Sequence, residues 1–159
     1  MIRPFFHSSQ HGPEANRQVG EFVSTLIWGR PDRCGPHCSL AVVDDKTLIA
    51  GIVYHNCDED AGVIELSGAS VSKKWARPHV LATIYNIAFD LLGMQMILQR
   101  VKAGNAVHLT QLRRLGLQEA VIARGAGRDE DLHMFTMTDD QWRDHPLRIR
   151  DIDRKAKAI

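Results

Sequence analysis

Three apolar runs crowd into residues 39–70: SLAVVD, TLIAGIVYH and GVIELSGAS. Only Asp45 and Lys46 separate the first pair, and NCDEDA separates the second. Links that short cannot carry a crossover helix, so consecutive runs must fold back on one another as an antiparallel meander. A sheet carrying that meander is the frame into which the rest of the chain must fit.

The flanks supply the helices. IRPFF predicts a short strand ahead of the meander. SSQHGPEANRQVGEFVSTLIWG follows and reads as a helix, with Ser or His positions ahead of Pro13 and apolar residues at Val19, Phe22, Val23, Leu26 and Ile27, the spacing of one buried face. Gly29 and Pro31 close it, and GRPDRCGPHC reads as a turn-rich loop. After the meander the pattern predicts a helix from Pro78 to near Leu92, then a strand in MQMILQRV. A second helix from near Asn105 to Leu115 stops at Gly116. Two further strands, LQEAVIAR and DLHMFTMT, are joined by the turn GAGRDED. At Thr138, TDDQW fits a capping box with Gln141 and starts a short last helix, which His145 and Pro146 end. The order is β-α-βββ-α-β-α-ββ, an α+β or mixed α/β fold with helices on the faces of the sheet.

One domain is expected over residues 1–142, followed by a charged tail, 143–159. The tail carries six Lys or Arg against three Asp, and partial disorder is expected there. A net charge of +1 lacks the basic excess of a dedicated nucleic-acid binder. No apolar run approaches the roughly 20 residues that span a bilayer. The opening MIRPFFHSSQHG has no apolar signal core, and three irregularly spaced cysteines make no disulfide framework. The expectation is a cytoplasmic, reduced protein with neither membrane nor nucleic-acid partners.

VSKKWARPHV, residues 71–80, is the first stretch with chemistry in it. Lys73, Lys74 and Arg77 lead into Pro78 at a helix start, where proline's missing N–H is not needed. His79 lies in the first turn. Cations before a helix N-terminus form a natural seat for an anion, Arg77 as a fork and the lysines as point charges.

IELSGASVSKKWARPHVLATIYNIAF and FDLLGMQMILQRVKAGNAVHLTQLRRLGLQEAVIAR together resemble GNAT-type N-acetyltransferases, particularly the RimJ/RimL branch. The shared features are a helix ending in Gly93, a strand leading to Asn105, the LGL of Leu115–Leu117 and the strand from Glu119 to Arg124. Trp75 and Arg77 are similar to a variant cofactor loop of that branch. The resemblance covers about residues 48–142. It implies a central mixed, mostly antiparallel sheet with helices on both faces, acetyl-CoA as co-substrate without a metal, and acetyl transfer to a primary amine in a ternary complex. The acceptor, whether protein N-terminus, lysine or small amine, is left open, as is a homodimer. The alternative is a non-catalytic GNAT-fold module that binds acyl-CoA or a protein.

The resemblance assigns the pantetheine arm to Gly68, Ala69, Ser70 and Val71, and the pyrophosphate to Lys73, Lys74, Arg77 and His79. Asn105 would both cap the second cofactor helix and lie near the coenzyme A arm. This chain departs from the family in having no glycine between Val71 and Leu92, so side chains must supply charge that a glycine-rich backbone usually supplies. A tyrosine common as general acid is matched by Leu112; Tyr54, His55 and His133 are candidates to replace it. Glu65 is the candidate base: alternation places Val63, Glu65 and Ser67 on one face, and a carboxylate in an apolar strand is expected to have a raised pKa. Cys34, His37 and Cys38 in CGPHC face only an H-x-C pair, His55 and Cys57, a poor second half for zinc.

Overall fold

The protein is described by a computed structural model over residues 1–158. Its elements are β1 (Ile2–His7), α1 (Pro13–Trp28), β2 (His37–Asp44), β3 (Thr47–Asp58), β4 (Val63–Ser70), α2 (Pro78–Asn86), β5 (Met96–Lys102), α3 (Ala106–Arg114), β6 (Gln118–Gly127), β7 (Glu130–Thr138), α4 (Asp139–Arg143) and α5 (Pro146–Lys157). The strands form one seven-stranded sheet in the order β1-β2-β3-β4-β5-β7-β6. The meander is present as expected, with Leu40 opposite Ile52 and Tyr54 opposite Leu66. β4 and β5 run parallel, and the other neighbours are antiparallel.

Strand alternation sorts the meander side chains into two layers. Leu40, Ile52, Tyr54, Ile64 and Leu66 face α2 and α3 in the main core with Val80, Ile84, Leu109 and Leu112. Ala41 and Val53 face α1 in a smaller core with Val19 and Val23. Helices therefore cover both faces of the sheet.

The α1 stripe differs from its sequence reading. Asn16, Val19, Gly20, Val23 and Ser24 are buried, whereas Leu26 and Ile27 are exposed. The helix lies close over Gly51, where an added Cβ would stand 2.8 and 2.9 Å from the Val23 and Val19 methyl groups. That approach turns a strip of small and polar residues inward, and apolar spacing alone cannot register it. Gly29 ends the helix with φ 73°, as expected.

α2 begins at Pro78 with Arg77 as an extended cap, and a π-helical stretch, Ile87–Leu91, carries it to its expected end. Asn105 caps α3 by accepting the His108 N–H at 3.3 Å. Thr138 and Gln141 form the capping box of α4.

The tail expected to be partly disordered is helical. Pro146 opens α5, and His145 caps it by accepting the Leu147 N–H at 3.2 Å. Asp151 is buried at 4% exposure, bonded within its own helix to Lys155 at 2.6 Å and Arg154 at 2.8 Å. Asn86 joins it to α2 by donating to Asp151 at 3.4 Å while accepting the Trp142 indole N–H at 2.9 Å. Charges that read as a solvated tail thus compensate one another at i,i+3 and i,i+4 spacing and dock the helix. No helix among the described residues is long and apolar enough to cross a membrane.

Candidate active site

The parallel pair at the centre of the sheet is short. β4 and β5 match only at Val63–Met96, Ile64–Ile97 and Glu65–Leu98. Beyond that, β4 stays with β3 through Ser70 and β5 stays with β7 through Lys102, so the two strands part. The polar backbone groups of Leu66–Ser70 that point toward β5 lack ladder partners among the described residues. Because β4 leads into α2 and β5 into α3, both helices start at this same open end of the sheet. A ligand can seat there against strand edge and helix N-termini together.

Every residue assigned to the acyl-CoA arm or pyrophosphate lies along this opening. Gly68 and Ser70 are exposed and Ala69 half-buried on the free stretch of β4; Val71 follows, 62% exposed. Lys73 and Lys74 form a 3₁₀ turn before α2, with Lys74 4.0 Å from Asp44. Arg77 caps α2, His79 is in its first turn, and Asn105 caps α3. Three exposed cations at the start of a nine-residue helix, beside an unpaired strand edge, fit a ligand that is anionic at one end and amide-bearing along its arm.

Glu65 and Ser67 point to the α1 face, as alternation requires, just where the strands separate. The raised pKa expected for Glu65 is not found. Burial does push its carboxyl up, but Arg100 donates two hydrogen bonds at 2.7 and 3.0 Å and Asn56 a third at 2.8 Å. With His55 nearby as well, these hold Glu65 below its ordinary value. It is an ionised carboxylate, 5% exposed, with its oxygens engaged. The strand context predicted its burial but not its partners, because Arg100 lies 35 residues away.

His55 stands opposite Glu65 across the β3–β4 ladder, its Nε2 4.0 Å from the carboxylate and 2.9 Å from the Ser67 hydroxyl. Its Nδ1 lies 3.2 Å from the Cys34 carbonyl. A carbonyl can only accept, so Nδ1 carries the hydrogen and Nε2 presents its lone pair to Ser67. Burial pushes the imidazole pKa down, against the opposing pull of Glu65. Trp28 closes edge-on over the ring, centroids 6.2 Å apart.

The other candidates are dispersed. Leu112 is 2% exposed in the main core. Tyr54 points to the α2 side and donates to the Ile84 carbonyl at 2.8 Å, and burial drives its pKa well up. His133 sits on the far side of the sheet, 2.6 Å from Glu119. Arg100 and Asn56 were missed in the sequence. Asn56 has φ 48° at the β3 bulge, a backbone state asparagine tolerates, and an Asn after a strand was its only local signal.

The loop over residues 29–38 borders a cleft of about 290 Å³ against α1, lined by Arg17, Glu21, Asp32, Cys34 and His37. A larger cleft of about 530 Å³ lies between Leu81, Leu115, His145 and Leu147, away from the parted strands. Among the described residues no three His, Cys, Asp or Glu side chains gather as metal ligands; Cys34 Sγ lies 3.4 Å from His37 Nδ1.

Solved structures share this architecture. A chimera of the spermidine N-acetyltransferase SpeG from Vibrio cholerae and hSSAT aligns with a TM-score of 0.68 and 12% identity, over 89% of this chain and 99% of that one. SpeG from Vibrio cholerae with manganese ions gives 0.66 at 12% identity, over 89% and 94%. A GCN5-related N-acetyltransferase from Brucella melitensis gives 0.63 at 17%, over 96% and 81%. The chain therefore has the fold of GNAT-type acetyltransferases. No protein-family model matches it, and no curated protein matches it in sequence.

Proposed function

We propose that this protein is an acetyl-CoA-dependent N-acetyltransferase of the RimJ/RimL-like branch, with a variant pyrophosphate loop. The observation that carries the reading is the parting of β4 from β5 immediately after Glu65, with the starts of α2 and α3 at the same opening. The free edge of β4 from Gly68 to Val71 bonds the pantetheine arm. Arg77, Lys73 and Lys74, with His79 and the N–H groups opening α2, take the pyrophosphate. Asn105 holds the start of α3 beside the arm.

The amine reaches the thioester from the α1 face, past the loop over residues 29–38. It loses its proton at the cluster around Glu65 and attacks the acyl carbon directly in a ternary complex. Backbone N–H groups at the end of β4 polarise the carbonyl oxygen, and the coenzyme A thiolate leaves. Acceptors of three kinds suit an opening of this sort: a protein N-terminus, a lysine or a small amine. Spermidine belongs in the panel because two structural neighbours are named for it.

A second reading is a GNAT-fold module that binds acyl-CoA or a protein without turnover. It is favoured by Leu112, a core residue where a hydroxyl acid is common. Thermal-shift titration with acetyl-CoA, coenzyme A and ATP tests the shared premise. A ligand at 100 times its dissociation constant stabilises by about 2.7 kcal/mol. Both CoA species are expected to raise the melting temperature, ATP not, and Arg77→Ala to weaken the response. No shift at millimolar ligand refutes acyl-CoA binding. Binding without thiol release, across amines of all three kinds, selects the second reading.

A further inference from the structure

We propose that Ser67 and His55 form a proton relay, in which the Ser67 hydroxyl takes the proton of the attacking amine as it gives its own to His55 Nε2. The inference rests on the acetyl-transfer reading and assigns the proton acceptor within that site. Three observations lead to it.

First, Glu65 is poorly placed to be the acceptor itself. Its oxygens already receive two hydrogen bonds from Arg100 and one from Asn56, and a carboxylate so bonded is a weak base. Second, His55 is prepared for the task. Its Nδ1–H is committed to the Cys34 carbonyl, so the Nε2 lone pair is fixed toward Ser67 at 2.9 Å. A nucleophile-side hydroxyl, a base within hydrogen-bond reach and a third group orienting that base are the arrangement proton transfer requires. Third, Ser67 lies two residues past the last β4–β5 pair, on the free stretch of strand and on the α1 face. His55, 3% exposed, cannot meet an amine directly, whereas half-buried Ser67 can.

The step balances. The amine nitrogen bonds the acyl carbon, and the carbonyl electrons move onto oxygen. An N–H proton passes to Ser67 Oγ, and the Ser67 proton passes to Nε2. The tetrahedral intermediate collapses, the C–S bond breaks, and coenzyme A leaves as thiolate to be protonated from solvent. The imidazolium loses its proton to solvent through Ser67. While it is charged, Glu65 at 4.0 Å stabilises it. The ionisable groups around His55 are Glu65 on β4, Arg100 on β5, His37 on β2 and Cys34 in the preceding loop.

The test pairs a pH–rate profile with spectroscopy that needs no acceptor. Thiol release from acetyl-CoA is followed with spermidine, a lysine-containing peptide and a free peptide N-terminus, while ¹⁵N-histidine NMR reports the His55 tautomer. Each variant must first keep the wild-type acetyl-CoA thermal shift. At pH 7, Nε2 is expected unprotonated. Ser67→Ala and His55→Gln are expected to lower kcat/KM by about 10²-fold, the low end of general-base effects. Ser67→Thr, which keeps the hydroxyl, restores most of the loss. Glu65→Gln keeps an acid limb in its profile but moves it to lower pH, because the neighbour that favours the imidazolium is gone.

An Nε2–H tautomer overturns the relay whether or not an acceptor is found. Turnover in Ser67→Ala with the wild-type acid limb overturns it too, while leaving acetyl transfer intact. Loss of the acid limb in Glu65→Gln, with His55→Gln retaining it, returns the role to Glu65. Wild type that binds acetyl-CoA but releases thiol with no amine overturns the transfer reading, and the relay with it.

Discussion

Arg100→Met puts the account of Glu65 at risk most directly. In the wild type, a carboxylate 6% exposed at its side chain meets a guanidinium 47% exposed at its own, through two hydrogen bonds. Removing one partner of a buried ion pair costs about 3–5 kcal/mol when both are buried. Here water reaches the arginine side and Asn56 stays bonded, so a loss of about 2 kcal/mol is expected, within the range for hydrogen bonds to charged groups. For a domain of this size each kcal/mol moves the melting temperature by about 2–4 °C, so the variant should melt some 4–8 °C lower at pH 7.

The pH dependence has a definite sign. In the wild type Glu65 is held below its ordinary value, so its contribution is present above the unfolded pKa and lost as pH falls through the folded one. Without Arg100, burial dominates and the folded pKa moves above the unfolded value of about 4.3. The penalty is then full at neutral pH and relieved as Glu65 takes up a proton. Melting curves from pH 7 down to about 4.5 should therefore bring wild type and variant together. Glu65→Gln/Arg100→Met should recover most of the stability at pH 7. A gap that stays constant over that range, or a double variant no better than Arg100→Met alone, refutes an electrostatic role for the pair and leaves only lost packing.

Gly51→Ala should cost about 1–3 kcal/mol in chemical denaturation, since the new methyl meets Val19 and Val23 closer than a real contact allows. Tyr54→Phe should lower stability by about 1 kcal/mol yet leave thiol release within twofold of wild type, because its hydroxyl serves the core at Ile84. Asp151→Ala should detach α5, read as faster amide exchange over residues 146–157 while α2 stays protected. In the wild type the protection factors over those residues, taken relative to intrinsic exchange at each pH, should fall as pH drops through the folded pKa of Asp151, which burial raises but Lys155 and Arg154 hold below the ordinary carboxylate value.

What the sequence alone determined was local. Link lengths forced the β2–β3–β4 meander, Pro13, Pro78 and Asn105 marked where helices start, and Thr138 with Gln141 specified a cap, because each depends on residues within a few positions of one another. The order of elements followed, and with it the position of Gly68–Val71, Lys73, Lys74 and Arg77 ahead of α2. What only the tertiary structure decided depends on residues far apart in the chain. Arg100 reverses the pKa shift that burial alone gives Glu65. The carbonyl of Cys34 chooses the tautomer of His55. Gly51 chooses which stripe of α1 turns inward, and Asn86 docks a charged segment that its composition marks as tail. A side chain's burial can be read from its strand, but the sign of its charge chemistry is set by whichever partner the fold brings to it.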